Sequence, residues 1–162
     1  SERHIINVHG RGEMEAFLTD GLRSVLYTIP STNLSEYTVR WPGHIQKFID
    51  ERDKNNLYYE QLLKEWEYSP EISEFTWLEV VAYGCEGKKI RWIVSDEGGP
   101  DGHSMARCTG LVTVFCIEEW ISNPKMLTTG IHPPEDLDAA VINTIVSRMK
   151  AENISIFKEI IN

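Results

Sequence analysis

Two apolar runs that flank a short glycine-containing loop constrain the fold of this chain most strongly. Residues 75–83 and 88–95 are rich in Trp, Val, Ile and Tyr, the residue types that favour a pleated, half-buried strand. The loop Gly84-Cys85-Glu86-Gly87 between them is short and has a glycine at each end. The sequence therefore predicts an antiparallel β-hairpin in this region.

Helical periodicity precedes the hairpin. Apolar residues spaced as on one helix face predict a helix near residues 22–29. Thr19 and Asp20 stand ahead of it, where a side-chain oxygen can cap the first turn, and Pro30 ends it. Two short amphipathic helices are expected further on, with these residues on their apolar sides: Ile45, Phe48, Ile49, Leu62, Leu63 and Trp66.

A short strand is predicted ahead of those two helices. Tyr37, Val39 and Trp41 alternate with Thr38 and Arg40, and successive residues of a strand point to opposite faces. We therefore expect Thr38 and Arg40 on one face of a sheet. The Pro-Gly pair that follows is expected to end the strand.

The C-terminal part of the chain is predicted to contain two longer helices and a last strand over 154–157. The first helix runs from about Ser104, its expected N-cap, to Trp120. Its inward residues are expected to be Met105, Val112, Phe115 and Cys116. The second helix starts after a Pro-Pro pair, and its apolar stripe is Leu137, Val141, Ile145 and Met149.

Composition limits the class of protein. A chain of 162 residues is within the range of about 50 to 200 residues typical of one domain, so one domain is the default. The net charge of −9 and the scattered Lys and Arg residues argue against nucleic acid as a partner. No apolar run approaches the ~20 residues of a membrane span, and the first residues lack a signal-peptide core. We expect a cytoplasmic protein.

The cysteines and histidines predict no disulfide framework and no metal site. Cys85, Cys108 and Cys116 are an odd number without CxxC spacing, and we expect reduced thiols. Cys108 and Cys116 fall in a predicted helix, where Cys acts as a small apolar residue. The histidines lie far apart, without metal-ligand spacing: His4, His9, His44, His103 and His132.

No dinucleotide-binding turn is present in the sequence. Such a site needs a Gly-rich turn between a strand and a helix within a βαβ unit, with an acid further on. Gly10-Arg11-Gly12 lacks the third glycine and follows only nine residues. There is also no phosphate-binding P-loop and no GxSxG, HExxH or kinase signature. The chain is not expected to bind NAD or NADP by itself.

Four blocks stand in order along the chain: EAFLTDGLR at 15–23, TVRWPGH at 38–44, Asp96 with GHSMARCTG at 102–110, and GIHPPE at 130–135. Together they resemble the saccharopine dehydrogenase family, which includes lysine 6-dehydrogenase and carboxynorspermidine dehydrogenase. The last two are similar to the family patterns D…GxTSMARTTG and GVxPPE. The resemblance spans nearly the whole chain and is more specific than any single motif.

The resemblance implies the C-terminal substrate-binding and dimerisation domain of such an enzyme, over residues 1–162. Its implied fold is α/β (α+β), a mixed, largely antiparallel sheet covered by helices, without a Rossmann domain. It also implies that NAD or NADP is bound mainly by an absent N-terminal domain, so this fragment alone would be inactive. The implied reaction is oxidation or reduction at the CH–NH group of a lysine-derived amino acid, by a homodimer.

Arg40 is the strongest candidate for substrate binding. Thr38-Val39-Arg40 matches the family's TLR stretch, which holds substrate in saccharopine-forming members. A guanidinium offers a planar, bidentate fork to the carboxylate of an amino acid, which supports the same role independently. The alternative is that Arg40 is a solvent-facing strand residue in a salt bridge.

Four further candidates have both a functional and a structural interpretation. Thr19 and Asp20 match a polar loop beside the substrate in relatives, and Asp20 is suited to pair with an ammonium, yet both suffice as helix caps. His44 is a weak candidate for proton transfer, or it anchors a turn. Arg107 would bind a second carboxylate or fix the adjoining loop.

Two departures from the family pattern leave the substrate open. Trp41 stands where Tyr is common, and Cys108 where Thr is common. A wall changed from Tyr to Trp loses a hydroxyl that reads a polar group. Two alternatives stay open: a non-catalytic dimerisation or interaction module, or the same domain of a carboxynorspermidine dehydrogenase.

Overall fold

The computed structural model describes residues 2–54 and 59–161, and it is α+β, as predicted. The chain forms two compact units, Ser1–Tyr68 and Ser69–Asn162, here called the N-terminal and C-terminal units. In the described residues each unit has one three-stranded sheet, and every strand pair is antiparallel. The prediction of one domain over the whole chain stays a prediction.

The N-terminal unit has a sheet in the order β1-β2-β3. Its strands are β1 (Arg3–Val8), β2 (Gly12–Leu18) and β3 (Tyr37–Arg40), and its helices are α1 (Val25–Thr28), α2 (His44–Asp53) and α3 (Tyr59–Glu65). Val8, Met14 and Ala16 lie on one face of the β1–β2 hairpin and are buried. The predicted strand at 37–41 and the helix that follows it are confirmed.

The predicted helix near 22–29 is reduced to the single turn α1. The prediction that Thr19 and Asp20 cap its N-terminus is wrong. The N-cap position is Ser24, and no side chain caps it. Arg23 adopts a left-handed backbone conformation, φ 48°, which interrupts the helical run before α1. Thr19 does not cap the helix because its hydroxyl is bonded to Glu36 and Thr38 instead.

Helices α2 and α3 agree with the sequence in position but only partly in the side chains they bury. α2 starts after Gly43, whose left-handed φ of 84° favours glycine. On α3 only Leu62 is buried, whereas Leu63 is 58% exposed, so its predicted inward position is wrong. Trp66, just beyond α3, stacks on the ring of His44.

The C-terminal unit contains the predicted hairpin, and its sheet has the order β4-β5-β6. The elements are β4 (Thr76–Tyr83), β5 (Lys89–Asp96), α4 (Ser104–Ser122), α5 (Ala139–Ala151) and β6 (Ser155–Ile161). A core cluster consists of Phe115 of α4, Ile145 and Met149 of α5, and Ile154. Val94 of β5 and Ile156 of β6 pack against it. The predicted stripe of the last helix is confirmed, since Leu137 and Val141 pack against this cluster.

Helix α4 differs from its prediction at both its start and its buried face. His103 is the N-cap, and its ring Nδ1 accepts a hydrogen bond from the backbone N–H of Ala106. Ser104 is instead the first helical residue and is fully buried. Met105 and Val112 were expected inside but are exposed. Within the described ranges, no helix has both the length and the apolar character that a bilayer span requires.

Candidate functional site

Strand β3 brings Thr38 and Arg40 onto one face of the N-terminal sheet, as predicted. In the ladder with β2, Arg40 lies opposite Glu15 and Thr38 opposite Phe17. Val39 pairs with Ala16, so its side chain lies on the other face. Val39 can therefore take part in a site on the Arg40 face only through its main chain.

The guanidinium of Arg40 is exposed and has no ion-pair partner among the described residues. Its Nη1 donates to the carbonyl of the preceding residue, Val39, at 2.8 Å. A bond to a neutral carbonyl leaves the charge uncompensated and most of the five N–H donors available. Arg40 is therefore able to accept a carboxylate in the bidentate geometry that this side chain favours.

His44 lies close enough to Arg40 for their charges to interact. Its pKa is lowered by partial burial, then by the positive charges of Arg40 and Lys47. The ring stacks on Trp66 with the centroids 4.4 Å apart, while the backbone N–H donates to the carbonyl of Trp41. A neutral imidazole at this position is able to accept a proton.

Thr19 contacts both the hydroxyl of Thr38 and the carboxylate of Glu36. The Oγ1 atoms of the two threonines are 3.0 Å apart, and the Thr19 hydroxyl donates to Glu36. The same carboxylate accepts the N–H of Gly21 at 3.2 Å. Asp20 is exposed beside this cluster. No local pattern marks Glu36, because its partners lie up to 17 residues away in sequence.

Glu15 adds a second carboxylate to the Arg40 face. Its Oε1 is 3.4 Å from Nη1 of Arg3, while its Oε2 is buried and has no hydrogen-bond partner in the described structure. A buried carboxylate oxygen without a donor is unfavourable, by about 1 to 3 kcal/mol in mutational data for polar groups. The face thus carries an uncompensated cation and an incompletely compensated anion on adjacent strands.

Arg107 lies in the C-terminal unit, where it fixes the Gly-rich loop at 98–102 through Asp101. Its side chain is 7% exposed, and its Nε donates to Asp96 at 3.0 Å. Further bonds go to the carboxylate of Asp101 and the carbonyl of Glu152. Burial opposes the charge, but the bonds to Asp96 and Asp101 outweigh it and raise the pKa of Arg107. A substrate carboxylate would have to compete with these partners.

A cavity of about 490 Å³ lies beside this ion pair in the C-terminal unit. Its charged lining residues are Asp96, Glu97, Asp101, Arg107 and Glu152, four carboxylates against one guanidinium. Such a lining repels a pyrophosphate, although Gly98 and Gly99 also border the cavity. These residues therefore do not fit the phosphates of NAD or NADP.

The blocks that carry the family resemblance have identifiable structural roles. Asp96 and Arg107 of the third block form the buried ion pair described above. His132 of the fourth block bonds to Asp136 through Nδ1 at 2.8 Å and to the carbonyl of Thr128 through Nε2 at 2.9 Å. The part of the chain that the structure describes contains no group of three or more His, Cys, Asp or Glu residues placed to hold a metal ion.

Comparison with known proteins does not extend the resemblance. No protein-family model matches the chain, and no curated protein was found to be similar to it. The relationship to saccharopine dehydrogenases therefore stays a prediction from the four sequence blocks.

Proposed function

We propose that this chain provides the substrate-binding and dimerisation part of a cytoplasmic, NAD(P)-dependent oxidoreductase of the saccharopine dehydrogenase type. The enzyme would act on the CH–NH group of a lysine-derived amino acid. The observation that carries the proposal is the exposed guanidinium of Arg40, which has no ion-pair partner among the described residues. The four sequence blocks supply the reaction class.

In this proposal Arg40 holds a substrate carboxylate and His44 handles a proton. A guanidinium fork fixes the orientation of a carboxylate as well as its position. The lowered pKa of His44 favours the neutral imidazole, the form that can take a proton from the substrate ammonium. Thr38, on the same face as Arg40, supplies a hydroxyl to the same surface.

The dinucleotide would be bound by residues that this sequence does not contain. The chain has no strand–GxGxxG–helix turn, and the glycines at 98 and 99 border an acidic cavity. NAD(P) would supply the hydride chemistry, so no NAD(P)H formation is expected when this chain alone is mixed with saccharopine or lysine. Turnover by the chain alone would contradict this part of the proposal.

Carboxylate binding at Arg40 is tested by isothermal titration of the chain with saccharopine, glutamate and glutarate. Arg40→Ala removes a charged hydrogen-bond donor worth about 1.5 to 3 kcal/mol, so affinity should fall roughly 10- to 150-fold. Arg40→Lys keeps the charge but loses the fork and should recover only part of the affinity. Arg52→Ala removes an exposed guanidinium of α2 that is paired with Asp53, and serves as the matched control.

The outcomes of this titration are distinct. Loss of affinity in Arg40→Ala with wild-type affinity in Arg52→Ala supports the substrate site. Equal affinity in the wild type and Arg40→Ala would show that Arg40 does not hold the carboxylate. Absence of binding for every family substrate would remove the basis for the enzyme assignment.

A non-catalytic interaction module is the second candidate, favoured by the exposed apolar side chains of the C-terminal unit. Leu78 and Val80 on β4 and Ile117 and Ile121 on α4 are all more than 45% exposed. Exposed apolar side chains of this kind are suited to contact with another protein. Arg40→Ala distinguishes the candidates, because it would leave assembly through such a surface unchanged.

A further inference from the structure

Strand β4 forms an open edge of the C-terminal sheet. Among the described residues it pairs only with β5, and the sheet order places it at the edge. Natural proteins usually protect such an edge with charged residues, proline or a bulge, because its free backbone groups pair readily with another strand. Of the eight residues of β4, TWLEVVAY, only Glu79 is charged, and none is proline.

The hydrogen bonds between β4 and β5 determine which backbone N–H and C=O groups of β4 point away from the sheet. The N–H of Gly84 donates to the carbonyl of Lys88, so the main chain of Gly84 faces β5. Because this direction alternates along an antiparallel strand, four residues of β4 direct their N–H and C=O groups outward. They are Trp77, Glu79, Val81 and Tyr83.

The side chains of β4 are self-complementary when a second strand of the same sequence runs antiparallel to it. With the two-fold axis at Val80, Leu78 faces the partner's Ala82 and Trp77 faces the partner's Tyr83. Glu79 then faces the partner's Val81, so no two like charges lie directly opposite each other. This register pairs the outward-facing backbone groups of residues 77, 79, 81 and 83 with one another.

The neighbouring registers are less favourable. An axis at Glu79 places the two Glu79 carboxylates opposite each other, which destabilises a strand pair. An axis at Val81 leaves Trp77 and Leu78 beyond the end of the paired strand, because only residues 79–83 then overlap. Val80, already 54% exposed, is therefore the favoured centre of a symmetric pair.

We propose that two copies of this chain associate through antiparallel pairing of β4 with β4 of the partner subunit, centred on Val80. The two three-stranded sheets then form one continuous sheet, and the exposed side chains of Leu78 and Val80 become covered. A closed two-fold contact of this kind uses the same surface on both copies and stops at the dimer. The inference deepens the dimerisation part of the proposed function and does not depend on Arg40.

The first test is the oligomeric state of the chain by sedimentation equilibrium. The wild type should be a dimer, and Val80→Lys should be a monomer because two ammonium groups would meet at the axis. Ile160→Lys is the matched control, because Ile160 is 62% exposed and lies on β6 at the opposite edge of the same sheet. A monomeric wild type, or a dimer broken by Ile160→Lys and not by Val80→Lys, would overturn the proposal.

The second test fixes the register by disulfide formation in a Cys85→Ser background, since Cys85 is exposed and free. At the axis the two Val80 residues form a non-hydrogen-bonded pair with Cα atoms about 4.5 Å apart, within disulfide range. Val80→Cys should therefore cross-link fully on oxidation, whereas Glu79→Cys, which faces the partner's Val81, should not. Cross-linking of Glu79→Cys in place of Val80→Cys would disprove this register.

Circular dichroism and ligand titration separate assembly from folding and from the substrate site. Val80 is exposed, so the lysine variant should keep the wild-type spectrum while it becomes monomeric. Failure of carboxylate binding at Arg40 together with an intact β4 dimer would refute the substrate part alone. Carboxylate binding at Arg40 in a wild-type chain that does not form the β4 dimer would refute this inference alone.

Discussion

Arg40 and Glu15 lie directly opposite each other on adjacent strands of the N-terminal sheet, yet they do not form an ion pair. Glu15 interacts with Arg3, and Arg40 bonds to its own strand. Opposite charges at facing positions normally attract across a ladder. The arrangement leaves the guanidinium of Arg40 open to an external carboxylate, with the negative charge of Glu15 as its nearest competitor across the strands.

We predict that Glu15→Gln increases the affinity of the chain for glutarate roughly two- to fivefold. The substitution removes a negative charge across the ladder from Arg40, and at such a partly exposed site the gain is limited to about 1 kcal/mol. Glu13→Gln, two residues away on the same face of β2, should leave the affinity unchanged. Weaker binding by Glu15→Gln, measured by calorimetry, would contradict a competing role for Glu15.

We predict that occupation of Arg40 raises the pKa of His44. Burial lowers that pKa first, and the charges of Arg40 and Lys47 lower it further. A bound carboxylate, or Arg40→Ala, removes one of these positive contributions, so the pKa should move up toward its ordinary value. NMR titration of the His44 ring protons in the wild type, Arg40→Ala and the Arg52→Ala control measures the shift.

The lowered pKa of His44 also sets the direction of a stability change. The pKa of His44 is lower in the folded chain than in the unfolded chain. The stabilisation that results is present at pH values above the unfolded pKa and is lost as the pH falls through the folded pKa. Thermal unfolding of His44→Asn should therefore depend less on pH on the acid side of neutrality. If the wild type and His44→Asn lose the same thermal stability at acid pH, His44 is not the source of the pH dependence.

The elements that the sequence predicted are those whose signal is local. The hairpin at β4 and β5 has β-branched and aromatic runs around a short glycine loop, and α5 has a regular apolar stripe. The placement of Thr38 and Arg40 on one face follows from strand alternation alone. Each of these features depends on a continuous stretch of sequence and not on contacts between distant segments.

The features that the sequence did not predict depend on contacts between distant residues. The sequence predicts no element over residues 1–18, although Glu13, Met14, Glu15 and Ala16 alternate in polarity along β2. The position of Thr19 before an apolar helical stripe predicts a cap, but its hydroxyl is bonded to Glu36. The direction in which α4 buries its apolar residues depends on where α5 packs, because this helix is apolar nearly all round and its pattern favours no single face.

Removal of Arg107 should destabilise the C-terminal unit more than removal of a surface arginine does. Arg107→Ala leaves the buried carboxylate of Asp96 without its cation, which typically lowers the free energy of unfolding by about 3 to 5 kcal/mol. Arg91→Ala breaks half-exposed pairs with Glu79 and Glu159 in the same unit and should lower it by about 1 kcal/mol or less. Chemical denaturation followed by circular dichroism compares the two variants, and equal losses would contradict a structural role for the Arg107 pair.

His132 is predicted to make the fourth sequence block sensitive to pH. Its pKa is raised, first by the hydrogen bond to Asp136 and then by the carbonyl of Thr128. The pKa of His132 is thus higher in the folded chain than in the unfolded chain, where it is about 6.5. The stabilisation that results is complete at pH values below the unfolded pKa and is lost as the pH rises through the folded pKa. The effect on unfolding should thus appear from about pH 6.5 upward.

This prediction is tested by the midpoint of thermal unfolding between about pH 5 and pH 8, in the wild type and in two variants. His132→Asn removes the titrating group, and Asp136→Ala removes its acceptor, so both should flatten the alkaline decline of the midpoint. The two variants should also agree with each other, because the raised pKa depends first on the bond between these two side chains. If both variants keep the wild-type pH profile, the pH dependence has its origin in another group, and the bond between His132 and Asp136 serves only to shape the loop.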